Sequence, residues 1–326
     1  MKTYTLRTYG QPEEVISLEE VEKPVPKQDE VLIQVKAAPI NDYDWCVTTG
    51  TPFAYRLYFG LSKPKPRFQR LGMEVAGIIK AIGPDCSKFR VGDEVYGDIS
   101  NGALGSLGEY ICTSEQNLVA KPSGMSFEDA CAIPHASMLA YEAMVDLGHL
   151  GPNQKLLING AGGGMGTFAI QVAKTYENVE ITAVDSAAKA NMLKTQGAHQ
   201  IIDYRKEDFT KNGQQYDLIL DPRTNRSPWK FLKSLKKGGR YVTVGGRSGK
   251  LIQLLLLKGL IRLFTGKHVL MLGLKPNQHL NKINAMYNEG IIKPVIDGPH
   301  PFEEVPQCIQ YFGDAKHQGK IVISIP

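Results

Sequence analysis

Hydrophobic and polar positions follow two different patterns along the chain, and the change falls near Met125. Before this point, short apolar runs of β character are separated by Pro and Gly, for example VLIQVKAAPI, EVAGIIKAIG, GDEVYG and GEYICT. A long helical period does not appear among them. This pattern is typical of an all-β unit, which we therefore predict for residues 1–125.

Apolar runs alternate with helical patterns after Met125. A helix is predicted to begin at Ser126, because Glu128 and Asp129 place carboxylates in its first turn, where they suit the helix dipole. Six strand-like runs follow, LLIN, ITAV, QIID, LILD, YVTV and VLML, with helical patterns between most of them, for example at 166–176 and 228–237. This alternation predicts the α/β class with a doubly wound parallel sheet. One more helix and a final strand, KIVISI, are predicted after Lys275.

A glycine-rich turn connects the run LLIN to the helical pattern TFAIQVAK, with the spacing Ala161-x-Gly163-x-x-Gly166. Such a turn lets a pyrophosphate approach the backbone and meet N–H groups at the start of the helix. A β-carbon at Gly163 or Gly166 is expected to block that approach. The alternative is a tight turn without a ligand. Dinucleotide binding is favoured because an acidic residue, Asp185, ends the next strand about 20 residues further on.

Three residues bear on the choice of dinucleotide. Asp185 suits the ribose hydroxyls of NAD and repels the 2′-phosphate of NADP. Lys189 and Tyr204 would suit that phosphate if they converge near it. Lys189 can equally be a solvated helix lysine, so the residues alone leave the choice open.

Charge is distributed unevenly in this chain, whose formal net charge is +5. Between Pro222 and Asn288 there is no Asp or Glu, whereas 14 Lys or Arg residues lie there. This stretch can be a solvated basic face beside a phosphate-bearing ligand. The alternative is a surface that binds an anionic membrane. Nucleic acid is the least favoured partner, because no recognition motif or aromatic interleaving accompanies the cations.

Residues 251–264, LIQLLLLKGLIRLF, lie within this basic stretch. They are expected to form a buried or cleft-lining helix. Weak peripheral contact with an anionic membrane is the alternative, since cations flank the apolar run. These cations are Arg247, Lys250, Lys258, Arg262 and Lys267. A membrane-spanning helix is not expected, because the uninterrupted apolar runs are far shorter than the ~20 residues that a span needs.

The five cysteines show neither a CxxC motif nor zinc-finger spacing. They are Cys46, Cys86, Cys112, Cys131 and Cys308. We expect free thiols and a cytoplasmic location, because a reducing compartment keeps cysteines unpaired. The first residues, MKTYTLRTYGQ, lack the apolar core of a signal peptide.

The runs LGMEVAGIIKAIG, FRVGDEVYG and GEY, the glycine turn and the ending GKIVIS together resemble the medium-chain dehydrogenase/reductase superfamily. The chain is most similar to the branch of zinc-free quinone oxidoreductases and alkenal reductases, and the resemblance covers essentially the whole chain. It implies a GroES-like catalytic domain formed by residues 1–125 and 274–326. It also implies a Rossmann dinucleotide-binding domain at 126–273, with the active site in the cleft.

The resemblance places Asn41, Met73 and His135 where zinc-dependent members hold the catalytic metal. Only His135 is a usual zinc ligand, and zinc needs about three protein ligands, so we expect no metal. His135 is then either a polar group of the substrate site or a hydrogen-bonded, partly buried histidine. Asn41 can donate to an acceptor carbonyl or to the nicotinamide ribose. Tyr43 can hydrogen-bond an enolate oxygen or simply pack, and Asp44 is expected to cap backbone N–H groups.

The predicted catalytic residues are accordingly Asn41, Tyr43 and His135. The predicted cofactor-binding residues are Ala161, Gly163, Gly164, Met165, Gly166, Asp185, Ser186, Lys189, Tyr204, Gly245, Leu272 and Leu274. The resemblance favours NADPH over NADH, because Lys189 and Tyr204 fall where NADPH-dependent members bind the 2′-phosphate. Asp185 departs from that pattern.

The expected reaction is hydride transfer from the nicotinamide to a quinone or an α,β-unsaturated carbonyl, which is electrophilic without a metal. An alcohol dehydrogenase-like enzyme is one alternative, and a non-catalytic NADPH-binding structural or regulatory protein is another. The resemblance also implies a homodimer that pairs the strand VLMLG across a two-fold axis.

Overall fold

The computed structural model describes residues 1–246 and 248–326, so Arg247, one of the flanking cations noted above, lies outside the described residues. The described strands are β1 (Lys2–Leu6), β2 (Ile16–Glu20), β3 (Glu30–Pro39), β4 (Glu74–Ile82), β5 (Glu94–Asp98), β6 (Tyr110–Ser114), β7 (Val119–Ala120), β8 (Lys155–Asn159), β9 (Glu180–Asp185), β10 (Gln200–Asp203), β11 (Tyr216–Asp221), β12 (Leu235–Thr243), β13 (His268–Met271), β14 (Ile296–His300) and β15 (Lys320–Ser324). The described α-helices are α1 (Pro12–Val15), α2 (Asp42–Thr49), α3 (Arg56–Phe59), α4 (Phe127–Ala132), α5 (Pro134–Tyr141), α6 (Gly164–Ala173), α7 (Ala190–Gln196), α8 (Pro228–Lys233), α9 (Ser248–Thr265), α10 (Leu280–Asn288) and α11 (Val305–Gly313).

These elements form two compact units. The first comprises Met1–His135, Pro276–Asn288 and Pro294–Pro326, so it contains both ends of the chain. The second comprises Ala136–Lys275 and Glu289–Lys293.

The first unit is built around one sheet. Its strands follow the order β14-β15-β3-β4-β5-β7, and β6 also pairs with β3. Apart from the parallel pair β14 and β15, neighbouring strands in it are antiparallel. Its apolar core joins residues from early and late in the sequence, such as Val35, Val75 and Ile321. The prediction of mainly β-structure before residue 125 is confirmed, although the short helices α1 to α3 interrupt it.

The second unit contains a parallel sheet with the strand order β10-β9-β8-β11-β12-β13. The order reverses between β8 and β11, as in a doubly wound fold. The central strand β8 is buried over Leu156–Asn159, which is typical of a parallel strand covered on both faces. The predicted Rossmann-type sheet is therefore confirmed, and β13 lies at one of its edges.

The structure tests two of the predicted helix boundaries. The helix predicted from Ser126 is confirmed, since the Ser126 side chain accepts a hydrogen bond from the N–H of Asp129. The predicted helix 228–237 is too long: α8 ends at Lys233, because the chain enters β12 at Leu235 to pair with β11.

The prediction of a single helix after Lys275 is wrong. Both α10 and α11 lie there, together with strand β14. The second helix was missed because prolines at 301 and 306 indicate a loop. Pro306 lies in the first turn of α11, where its missing N–H costs nothing.

Candidate functional site

The glycine turn between β8 and α6 is bound to the end of the neighbouring strand β9. The N–H groups of Gly160 and Ala161 donate to the carbonyl oxygen of Val184, at 2.8 and 3.2 Å. The N–H of Gly162 donates to Oδ2 of Asp185 at 2.8 Å. These bonds fix the first half of the turn, residues 160–162. Its second half, from Gly163, forms the start of helix α6.

Helix α6 begins with N–H groups that suit an anionic ligand. Gly163 is its N-cap residue and provides no side chain to cap it. The N–H groups of Gly164, Met165 and Gly166 belong to the first turn, where a helix offers them no acceptor of its own. The helix dipole adds to their positive potential. This donor set fits the pyrophosphate of a dinucleotide.

Gly166 lies in close contact with the backbone of the glycine turn. A Cβ there would lie 2.4 Å from the carbonyl oxygen of Ala161 and 2.5 Å from its Cα. The missing side chain therefore lets α6 pack closely on the turn, and the expectation that Gly166 also clears the path for pyrophosphate stays a prediction.

Asp185, at the end of β9, is committed to the backbone around it. Its Oδ2 accepts from Gly162, and its Oδ1 accepts from the N–H of Ser186 at 2.8 Å. The side chain is buried. The carboxylate therefore holds the glycine turn in place, and its contact with ribose hydroxyls stays a prediction.

Lys189 lies beside this carboxylate, with its Nζ 3.7 Å from Oδ1 of Asp185. Its side chain is only 2% exposed, which excludes the alternative of a solvated helix lysine. The lysine therefore offsets the negative charge that would repel a phosphate. A Cβ on Gly162 would lie 2.4 Å from Cδ of Lys189, so the glycine makes room for this side chain.

Tyr204 completes the group at this edge of the sheet. Its N–H donates to the carbonyl oxygen of Asp185 at 3.2 Å, because β10 pairs in parallel with β9 at the position Asp203–Asp185. Its side chain is 48% exposed and remains accessible to a ligand. The structure thus brings the backbone of Tyr204 to Asp185 and its ring to the surface.

Three further predicted cofactor residues follow the carboxyl ends of strands in the same sheet. Gly245 follows β12, and its carbonyl oxygen accepts from Oγ1 of Thr243 at 2.9 Å. Leu272 follows β13, and its N–H donates to the carbonyl oxygen of Thr243 at 2.9 Å. Leu274 lies two residues further along and is partly buried. Ligands of doubly wound sheets bind outside these carboxyl ends.

The first unit contains a buried polar cluster around Asn41. Nζ of Lys320 lies 2.6 Å from Oδ1 of Asn41 and 2.7 Å from Oε2 of Glu74. Nδ2 of Asn41 donates to the same glutamate oxygen at 2.9 Å. All three side chains are buried. Glu74 and Lys320 were not among the predicted site residues, although each is a charged residue beside an apolar β run.

His135 joins this cluster through its backbone and through Asp98. Its N–H donates to Oε1 of Glu74 at 2.7 Å, and its Nδ1 lies 2.8 Å from Oδ2 of Asp98. Burial opposes the charged imidazole, but the contact with Asp98 outweighs it and raises the pKa of His135. The same contact outweighs burial at Asp98 and lowers the pKa of that carboxyl. The structure therefore shows a hydrogen-bonded, partly buried histidine.

Asp44 and Tyr43 follow Asn41 on helix α2. Asp44 accepts from the N–H of Asn41 at 2.9 Å and from the N–H of Gly72 at 2.7 Å, which confirms that it caps backbone groups. Burial raises the pKa of Asp44 to about 7 against the effect of these two N–H groups. The Tyr43 hydroxyl donates to the carbonyl oxygen of Arg70 at 3.4 Å, and burial raises its pKa.

The three positions that bind zinc in the zinc-dependent members do not offer a zinc-binding set here. The Asn41 amide contacts Lys320 and Glu74, Met73 is a thioether, and Nδ1 of His135 contacts Asp98. A lysine ammonium beside Asn41 would also repel a metal cation. Within the described residues, one other group has suitable ligand atoms, His300, Glu304 and Cys308, whose atoms lie within 4.8 Å of one another.

Two family profiles match the chain. The one described as alcohol dehydrogenase GroES-like domain matches residues 27–123. The one described as zinc-binding dehydrogenase matches residues 196–323, a range that contains none of the three zinc-ligand positions.

Relatives match almost the entire chain. A 2-methylene-furan-3-one reductase of Solanum lycopersicum is 31% identical over 99% of this chain and 79% of its own length. A chloroplastic NADPH-dependent alkenal/one oxidoreductase of Arabidopsis thaliana is 30% identical with the same two coverages, 99% and 79%. Among solved structures, the CurK enoyl reductase is similar with a TM-score of 0.83 and 27% identity, over 100% of this chain and 99% of that one.

Proposed function

Because this chain belongs to the medium-chain dehydrogenase/reductase superfamily, in the branch of the quinone oxidoreductases and alkenal reductases, we propose that it is an NADPH-dependent reductase of conjugated acceptors. The acceptor is a quinone or an α,β-unsaturated aldehyde or ketone. NADPH supplies the hydride, and the product takes up a proton from water. Two relatives are named for reduction of such a conjugated carbonyl compound, a methylene-furanone and an alkenal or alkenone.

The observation that carries the proposal is the contact of Lys320 with Asn41 and Glu74. A metal-dependent alcohol dehydrogenase needs a Lewis acid to stabilise an alkoxide. At Asn41, one of the three positions that bind the metal in zinc-dependent members, the side chain is instead an amide. It contacts the ammonium of Lys320 and the carboxylate of Glu74. A conjugated acceptor needs no such metal, because its own π system spreads the negative charge that hydride addition creates. We therefore propose that the reaction is independent of zinc.

Asn41 is the proposed group for binding the acceptor oxygen or the nicotinamide ribose. Its Oδ1 accepts from Lys320, and one N–H donates to Glu74. The other N–H of the amide has no partner among residues 1–246 and 248–326, so we propose it as the donor to the ligand. The ammonium of Lys320 polarises the amide and makes that N–H a better donor. His135 and Tyr43 are proposed to support this region rather than to transfer protons.

NADPH is the proposed cofactor for two reasons. The contact between Lys189 and Asp185 offsets the charge that would repel the 2′-phosphate, and the Tyr204 ring is accessible near the end of the same strand. One relative is also named as NADPH-dependent. The pyrophosphate is proposed to bind the first turn of α6, with Gly245, Leu272 and Leu274 near the nicotinamide half.

The same proposal includes the assembly and the location of the protein. A homodimer through β13 fits the place of this strand at an edge of its sheet. A cytoplasmic location fits five cysteines that are all free thiols. Turnover of NADPH with a panel of quinones, enals and enones, measured together with the metal content of the protein, tests the proposed reaction.

A further inference from the structure

Helix α9 presents an exposed apolar face, so it is not the buried helix that was one of the two expected forms. Only Leu254 and Ile261 of its large apolar side chains are fully buried. Six others are 52–80% exposed. The members of this α9 apolar face are Ile252, Leu255, Leu256, Leu260, Leu263 and Phe264.

These six side chains share one side of the helix. At about 100° per residue, they fall within an arc of roughly half the helix circumference, centred near Leu256 and opposite the buried Leu254 and Ile261. A contiguous exposed apolar surface of this kind marks an interaction site. None of the helices in the described part of the chain combines the length and the hydrophobicity that a membrane span requires.

Cations border the α9 apolar face. Lys258 and Arg262 are exposed, and both lie on the arc between its Leu255 side and the buried side of the helix. The sequence has no acidic residue between 222 and 288, so no carboxylate of this stretch neutralises them. Trp229, on the contacting helix α8, is also exposed. Tryptophan is enriched where proteins meet the headgroup layer of a membrane.

We propose that helix α9 docks the protein on an anionic lipid bilayer, with the α9 apolar face in the acyl boundary and Lys258 and Arg262 at the headgroups. Charge complementarity selects this occupant. A second copy seated on the α9 apolar face would bring Lys258 and Arg262 of both chains together, which like charges oppose. An anionic bilayer satisfies both the apolar face and its cationic border. Docking through α9 does not depend on the proposed reaction.

Co-sedimentation with vesicles tests the docking. The full-length protein is mixed with vesicles of phosphatidylcholine alone or of phosphatidylcholine with phosphatidylglycerol, at low and at high ionic strength. We expect sedimentation with the anionic vesicles at low salt and release at high salt, because the attraction between the cations and the lipids is screened. Absence of sedimentation with anionic vesicles at low salt would overturn the proposal.

Two variants separate the charge from the apolar contact. Lys258→Gln with Arg262→Gln should weaken partition into anionic vesicles by about 30-fold, since each cation near the surface contributes about fivefold. Leu256→Gln with Leu263→Gln should weaken it too. The matched controls are Lys27→Gln with Lys63→Gln and Leu57→Gln with Leu61→Gln, which change exposed residues of the first unit and should leave partition unchanged. Equal losses in variants and controls would contradict docking through α9.

Light scattering distinguishes a bilayer from a second copy. We expect the mass of the Leu256→Gln, Leu263→Gln variant to equal that of the unchanged protein. A lower mass for this variant, with vesicle partition unaltered, would show that the face joins two chains and would overturn the membrane proposal. We expect each variant to retain the fold, because the substituted side chains are exposed. Circular dichroism of each variant checks this.

Discussion

Nζ of Lys320 lies 2.7 Å from a carboxylate oxygen of Glu74, and both side chains are buried. Strand β15 near the chain end provides the lysine, and β4 provides the glutamate. Asn41 contacts both charged groups, so the pair fixes the orientation of its amide. The stability of the first unit and the proposed acceptor contact thus depend on the same interaction.

Lys320→Met is expected to destabilise the protein by about 3–5 kcal/mol, because it leaves the carboxylate of Glu74 buried without its cation. The double variant Lys320→Met, Glu74→Gln should recover a substantial part of this loss, since the uncompensated charge is then removed. Urea unfolding of the single and double variants measures both effects. If the losses of unfolding free energy in Lys320→Met and in Glu74→Gln simply add up to the loss in the double variant, the two side chains are not directly coupled.

The contact between His135 and Asp98 is expected to make stability depend on pH. The pKa of His135 is raised from its ordinary value of 6.5, so its contribution is fully present below pH 6.5 and is lost as pH rises through the raised pKa. The pKa of Asp98 is lowered from 3.8, so its contribution is present above pH 3.8 and is lost as pH falls further.

The variant His135→Gln measures this contribution. Between pH 3.8 and 6.5, the unchanged protein should be more stable than the variant by about 1.5–3 kcal/mol, the scale of a hydrogen bond to a charged group. The difference should shrink at higher pH. Denaturant unfolding over a pH series reports it, and a difference that stays constant with pH would contradict a charged imidazole at this site.

Lys189→Ala is expected to weaken NADPH binding by about 1–2 kcal/mol and to leave NADH nearly unaffected, because only NADPH carries the phosphate. The loss has two sources: a cation disappears, and the negative charge of Asp185 is no longer offset. Lys194→Ala removes an exposed lysine from the neighbouring helix α7 and is the matched control. Equal weakening of both nucleotides by Lys189→Ala would argue against the 2′-phosphate assignment.

Two glycine substitutions in the turn should have different effects. Gly162→Ala places a Cβ against Lys189 Cδ, a side-chain atom that can move, so it should reduce the preference for NADPH over NADH. Gly166→Ala places a Cβ against the backbone of Ala161, so it should lower the unfolding free energy even without a ligand. Fluorescence titration and thermal unfolding separate the two outcomes. A stable Gly166→Ala protein would contradict the packing role of this glycine.

The sequence was sufficient for features that depend on local pattern. The run LLIN, the glycine turn and the following helix together predicted the β8–α6 unit, and alternating apolar runs predicted the parallel sheet. The cap at Ser126 and the capping role of Asp44 were also predictable. Ser126 accepts from Asp129 three residues on, and Asp44 accepts from Asn41 three residues back, so each bond depends on residues close in sequence.

Features that depend on distant residues were not predictable in the same way. The ion pair of Glu74 and Lys320 joins residues that are far apart in the chain, and neither local pattern indicates the partner. The hydrogen bonds of Asp185 with the N–H groups of Gly162 and Ser186 were not predicted either, because its position after β9 does not indicate which N–H groups lie near it. The exposure of α9 was not predicted for a related reason. An apolar run shows that a helix has an apolar face, but it does not show whether other parts of the fold bury that face.

The most direct test of the account is turnover by metal-free protein. The protein is treated with a chelator, its metal content is measured, and oxidation of NADPH is followed with a quinone, an α,β-unsaturated ketone and a simple saturated ketone as acceptors. The account predicts reduction of at least one conjugated acceptor at a rate that the chelator does not change, and no reduction of the saturated ketone. The absence of turnover with every conjugated acceptor, or turnover that appears only when zinc is added, would contradict it.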